Sequence, residues 1–168
     1  VKIFLIGFMG AGKTSKGRAL SRKLGIRFAD MDQLIEEEEG MSVQDIFSSK
    51  GEEWFRNKET EVLHMLGEIE EDMVVSTGGG VPCFNNNLEY INSRGVSIYL
   101  RMTADALATR LSGIEKNTRP LLKGKSRDEL LEYITLKLNE REPFYLRSKH
   151  IIQAEKLKIE DIEAFLQA

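Results

Sequence analysis

The sequence predicts an α/β fold: one three-layer domain in which helices flank a parallel sheet. Three observations predict it. Short apolar runs, KIFLIG, MVVS and VSIYL, alternate with longer helical stretches, the pattern of buried parallel strands joined by crossover helices. A glycine-rich stretch, GFMGAGKT, stands where the first such run passes into the first helix, a junction that faces ligands in open α/β sheets. The chain is 168 residues long and 41% hydrophobic, enough for one core and one domain over residues 1–168.

In chain order, Lys2 to Gly7 is short, apolar and β-branched, hence a strand. Lys13 to Leu24 reads as a helix closed by Gly25, a residue type suited to the left-handed C-terminal cap. Ile26 to Ala29 is a short strand ending at Asp30. Gln33 to Glu39 and Ser42 to Ser49 are short helices, with Ser42 as the N-cap of the second. The four glutamates Glu36 to Glu39 read as a solvated helix face. Glu52 to Glu70 is a longer helix with Phe55, Val62, Leu66 and Ile69 on one stripe. Met73 to Ser76 is a strand, Asn86 to Asn92 a helix, Val96 to Leu100 a strand and Ala104 to Leu111 a helix. Residues 112–126 (SGIEKNTRPLLKGKS) are polar and combine Gly, Pro and several Lys or Arg, which marks a long loop of the kind used as a lid or binding loop. Asp128 to Tyr145 is a helix, Ile151 and Ile152 lie in a short strand, and Ile159 to Gln167 is a final helix.

Composition narrows the function. Net charge is −3, from 24 Lys and Arg against 27 Asp and Glu, so neither a nucleic-acid nor a membrane surface is expected. No apolar run reaches the length of a spanning helix. The single cysteine, Cys83, allows no internal disulfide and fits a reducing compartment.

The most specific motif is Gly7 to Thr14, which matches G-x-x-x-x-G-K-[ST]. Its glycines let backbone N–H groups curl around phosphate oxygens while the following helix aims its positive end at the same anion. Gly10, Ala11, Gly12, Lys13, Thr14 and Ser15 are thus candidate ATP-binding residues, with Lys13 on the β/γ-phosphates and the Thr14 hydroxyl on Mg²⁺. Such a site also needs an acid near the magnesium. The strand Met73 to Ser76 runs into Ser-Thr-Gly without one, so the carboxylates come from FADMD, Asp30 and Asp32. On an extended segment these two point the same way and can divide two roles, one at the metal and one at an acceptor hydroxyl. The competing reading makes Asp32 the N-cap of the helix from Gln33. The glycines Gly78, Gly79 and Gly80 after the same strand cost backbone entropy and imply a close approach to the main chain.

Arginines supply the remaining candidates. Arg56 has Glu53 and Glu59 three residues to either side; a surface ion pair is the plain reading, and such pairs contribute little. Arg141 follows Leu131, Ile134 and Leu138 on an apolar stripe and precedes Tyr145. An inward arginine needs an anion, from a protein carboxylate or from a substrate. Arg119, in the long loop, is placed to neutralise a transferring phosphoryl group if the loop closes as a lid.

Together GxxGxGKT, the DMD pair, FRxxE, STGGGV, RPLL and the RxxxY of REPFY, in this order from Gly7 to Tyr145, resemble the shikimate kinases. That resemblance implies a P-loop kinase fold with five parallel strands in the order 2-3-1-4-5, a substrate-binding helical segment at about 31–60 and a lid at about 112–126. It implies phosphorylation of the 3-hydroxyl of shikimate by ATP with Mg²⁺. It also implies roles: Lys13, Asp32 and Arg119 catalytic; Thr14, and Asp30 through water, at the metal; Arg110 at the adenine; Asp32, Arg56, Arg141 and Gly78 to Gly80 at the shikimate. A cytoplasmic monomer is the expected form, from the resemblance and the lack of a recognisable leader; a plastid enzyme with its transit peptide trimmed has the same features. One stretch departs from the family pattern: QAEKLKIED, after the last strand, has neither the proline nor the arginine usual there, and leaves Lys156 as the basic side chain for adenine. Two rival readings stand beside this one. Another small-molecule P-loop kinase, acting on gluconate or a nucleoside monophosphate, also uses inward arginines. A nucleotide-binding switch is the other, though no N-K-x-D stretch is present.

Overall fold

A computed structural model describes residues 1–113 and 124–167. Arg119 and most of the 112–126 loop lie outside these residues, and so does the side chain of Lys156. Five strands form one sheet: β1 (Lys2–Ile6), β2 (Arg27–Asp30), β3 (Met73–Ser76), β4 (Val96–Arg101) and β5 (His150–Gln153). All neighbours are parallel and the order is β2-β3-β1-β4-β5. β1 is fully buried along its length, as expected of a central strand covered on both faces. Eight helices connect or flank the strands among the described residues: α1 (Lys13–Leu24), α2 (Met31–Glu39), α3 (Val43–Lys50), α4 (Glu52–Glu68), α5 (Asn87–Arg94), α6 (Ala104–Leu111), α7 (Arg127–Tyr145) and α8 (Ile159–Gln167). None is long and apolar enough to cross a membrane.

Register decides what meets at the carboxyl ends of the strands. Leu5 on β1 pairs with Ser76 on β3, and Asp30 on β2 pairs with Ser76 from the other side. The glycine-rich loop, Asp30 and the Gly78–Gly80 stretch therefore emerge side by side. Thr77 ties the end of β3 to β1: its N–H and its hydroxyl both donate to the Leu5 carbonyl, at 3.2 and 2.9 Å.

Several expectations need correction. The cap of α2 is Asp30, with φ −107° and ψ 116°, whose carboxylate accepts from Gln33 N at 3.2 Å. The helix starts at Met31, so Asp32 lies in its first turn and not on an extended segment. The stripe on α7 runs through Leu130, Ile134 and Leu138; Leu131 is only partly buried. α4 stops at Glu68, where Ile69 turns extended. The glutamate run is not simply a solvated face. Glu36 accepts from Val43 N at 2.9 Å and so ties α2 to the start of α3, while Glu38 and Glu39 pair with lysines of α3 and α4. A 3₁₀ turn, Val81–Cys83, follows the three glycines directly, which the sequence did not signal.

Candidate active site

Gly12 is the N-cap of α1 in the left-handed conformation, φ 91°, with no side chain capping the helix and no acid in its first turn. Both absences leave the helix N-terminus suited to an anion. The Lys13 ammonium donates to the Phe8 carbonyl at 3.1 Å and to the Gly7 carbonyl. The Thr14 hydroxyl donates to Asp30 Oδ2 at 2.7 Å. Asp30 thus uses one oxygen on the helix and one on Thr14. A cavity of about 460 Å³ opens here, lined by the P-loop, Asp30, Asp32, Ser76, Thr77, Gly79 and Arg110, within the usual size of small-ligand pockets. Gly10, Gly12, Lys13, Thr14 and Ser15 all border it, whereas Ala11 is buried beneath the loop. Arg110 reaches over the loop, its terminal nitrogens 3.5 Å from where a Gly12 Cβ would stand.

Gly78, Gly79 and Gly80 are not required by φ: none lies in the left-handed region. What a side chain there would displace is the charged ends of neighbouring side chains. A Cβ on Gly78 would lie 2.9 Å from both Asp32 Oδ1 and Glu59 Oε2. One on Gly79 would lie 3.1 Å from Arg141 Nη1, and one on Gly80 would collide with the Arg56 guanidinium, 2.7 Å from Cζ. Four side chains from α2, α4 and α7 therefore converge on a strip of bare backbone. The strip is held by Val81 N and Cys83 N, which donate to the carbonyls of Gly78 and Gly80, and by the Tyr145 hydroxyl, which donates to the carbonyl of Gly79.

The arginines differ in partners. Arg56 Nη1 pairs with Glu59 Oε1 at 2.7 Å, and their side chains are 12% and 2% exposed. This is a desolvated pair, not a surface one. Phe84, Phe47 and Phe55 surround the guanidinium, with ring centroids 4.4, 5.6 and 5.6 Å from Cζ, and Arg56 Nε is buried without a hydrogen-bond partner among the described residues. Glu53, the other flanking acid, is exposed. Arg141 lies 5.7 Å from the Phe8 ring centroid, and its charge acts on the Glu59 carboxyl and on the Tyr145 hydroxyl. Burial pushes the Glu59 carboxyl up to about 7 against the pull of Arg56, and the nearby Asp32 charge adds to the rise. Burial also raises the Cys83 thiol to about 11 and lifts the Tyr145 hydroxyl above its usual range, so neither ionises near neutrality.

The structure thus brings Lys13, Thr14, Asp30, Asp32, Gly78 to Gly80, Arg56, Arg110 and Arg141 to one end of the sheet. The sequence reading missed four contributors. Glu59 was seen only as a flanking charge; the spacing to Arg56 was legible, its burial was not. The aromatic surround of Arg56 draws on three separate elements, and the Tyr145–Gly79 bond on two. Arg18 lines the cavity from α1, lies over the Phe28 ring at 5.4 Å and donates to Gln33 Oε1 at 3.4 Å; no motif marks it.

The comparisons with known proteins agree with this picture. A family model described as "Shikimate kinase" matches residues 9–168. A shikimate kinase of Bacteroides fragilis is 47% identical over 158 residues, covering 94% of this chain and 87% of the relative. The crystal structure of shikimate kinase from Bacteroides thetaiotaomicron superposes with a TM-score of 0.95 at 40% identity, covering 100% of this chain and 99% of that one. Shikimate kinase from Acinetobacter baumannii, solved in complex with shikimate, gives a TM-score of 0.83 at 34% identity over 99% of this chain and 90% of that one.

Proposed function

The chain belongs to the shikimate kinase family, and from that premise we propose that it transfers the γ-phosphoryl group of ATP to the 3-hydroxyl of shikimate, giving shikimate 3-phosphate and ADP. The observation that carries the reading is Arg141: an inward arginine set against Gly79 and near Arg56, sharing with it the field of one buried carboxylate, Glu59, which is hydrogen-bonded to Arg56. Two guanidiniums beside bare backbone suit a ligand carboxylate held through charge-assisted bonds.

Asp32, across the strip at Gly78, is assigned to the acceptor hydroxyls and to the proton of the attacking one. The P-loop N–H groups and Lys13 take the phosphates, Arg110 flanks the adenine, and Arg119 enters with the lid over 112–126. Thr14 and Asp30 are oxygen donors in contact at 2.7 Å, and among the described residues no cluster of three or more His, Cys, Asp or Glu is placed to hold a metal. Such a set suits Mg²⁺, which keeps several waters and substrate oxygens; Thr14 would hold it directly and Asp30 through water. The chemistry Mg²⁺ would supply there is neutralisation of the charge that develops on the phosphates during transfer. The protein's share is positioning: the glycine strip sets the acceptor against the loop, so its hydroxyl meets the γ-phosphorus in line. Lid closure excludes water that would otherwise compete as acceptor. A cytoplasmic monomer, carried over from the family, belongs to the same proposal.

ADP release measured with shikimate, gluconate and AMP side by side tests the reading. Shikimate-dependent release far above the other two is expected. Release with gluconate or AMP but not shikimate would replace the proposed acceptor, and release independent of any acceptor would revive the nucleotide switch.

A further inference from the structure

We propose that Lys58 is a positioning residue for the acceptor site, its ammonium clasped by carboxylates of α2 and α4 so that the helix carrying Arg56 and Glu59 is held in register with the helix carrying Asp32. The inference rests on the reading of Asp32 and Arg56 as acceptor groups. Lys58 has a side chain only 8% exposed, with Nζ 2.7 Å from Glu38 Oε1, 3.4 Å from Glu61 Oε1 and 3.9 Å from Glu39 Oε1. Glu39 also receives Lys50 Nζ at 3.0 Å. The last turn of α2 contains no basic residue, so its glutamates repel one another and oppose the helix dipole. Lysines from α3 and α4 supply the missing positive charge.

Position explains why this matters for the acceptor. Arg56 and Glu59 lie on either side of Lys58 in sequence, and Asp32 lies on the same helix as Glu38. The clasp joins the element that grips the carboxylate to the element that grips the hydroxyls. Removing one partner of an ion pair is costly where the charge left behind is buried, but Glu38 and Glu61 are 54% and 71% exposed, so a hydrophobic side chain at position 58 fills the space and leaves carboxylates that water solvates. Stability alone therefore does not call for lysine here. A directional contact between two helices does, because the ammonium has donors that fix where the carboxylates sit.

The test compares wild type with Lys58→Met, Lys58→Arg and Glu38→Gln, measuring KM for shikimate, KM for ATP and Tm. Lys58→Met is expected to keep Tm while raising the shikimate KM about fivefold, the size of coupling found within one charge network. The ATP KM stays at its wild-type value, and Lys58→Arg recovers most of the shikimate KM. Glu38→Gln, at a carboxylate 54% exposed and thus tolerant of change, raises the shikimate KM in the same selective way. An unchanged shikimate KM in Lys58→Met and in Glu38→Gln would overturn the inference. So would a rise of both KM values together with a fall in Tm, which marks general loosening. If Lys58→Met does not fold, Glu38→Gln decides by the same criteria. A wild-type protein that releases no ADP with shikimate would instead defeat the proposed function itself.

Discussion

At the scale of single residues, the glycine strip carries the sharpest predictions. Three consecutive glycines suggested close approach, and the reason is now specific: carboxylates and guanidiniums stand where each Cβ would be. Gly80→Ala displaces Arg56 and Gly79→Ala crowds Arg141, so both variants raise the shikimate KM far more than the ATP KM in steady-state kinetics. Equal effects on both would reduce the glycines to a turn. Asp32→Asn keeps the shape of the site and removes its base; turnover falls by about 10²- to 10⁴-fold while ATP affinity, measured by equilibrium binding, is retained. Glu59 makes a pH prediction. Its ordinary value of 4.5 rises to about 7 in the fold, so the folded chain holds a proton that the unfolded chain has already released. The linked stability is fully present below 4.5 and is lost as pH rises through about 7. Thermal melts across that window show wild-type Tm declining, while Glu59→Gln removes this component and flattens the profile. Glu59 could not be read in advance, because a Glu three residues from an Arg looks the same in sequence whether the pair is solvated or, as here, buried.

At the scale of elements, the first turn of a strand or helix was more legible than its partners. The P-loop stood out because its chemistry is local: strand, glycines, lysine and hydroxyl are contiguous. The competing reading put the cap of α2 on Asp32; Asp30 and Asp32 are both good caps by type, and the Gln33 hydrogen bond goes to Asp30. The buried stripe of α7 was displaced by one residue at its start, from Leu130 to Leu131, since both are leucine and only packing chooses. This helix also opens with a full capping box, Ser126 with Glu129, next to the end of the long loop. Ser126→Ala costs about 1 kcal/mol, and calorimetry is expected to show Tm lower by about 2–4 °C with the shikimate KM unchanged, since Arg141 and Tyr145 lie at the far end of the helix.

At the scale of the whole molecule, the alternation of strands and helices was legible and the strand order was not. Alternation follows from local periodicity, whereas the order β2-β3-β1-β4-β5 came only with the family resemblance. That order sets the site. It puts β1 beside β3, so the phosphate loop and the glycine strip share one edge of the cavity, and it puts β2 beside β3, so Asp30 reaches Thr14. The central claim is that this edge takes an acceptor by its carboxylate, through Arg56 and Arg141. Comparing kcat/KM for shikimate with that for its methyl ester, at saturating ATP, tests it most directly. The account predicts a loss of about 10²-fold or more for the ester, from a charge-assisted clamp left without its anion. Equal kcat/KM for the two would contradict it.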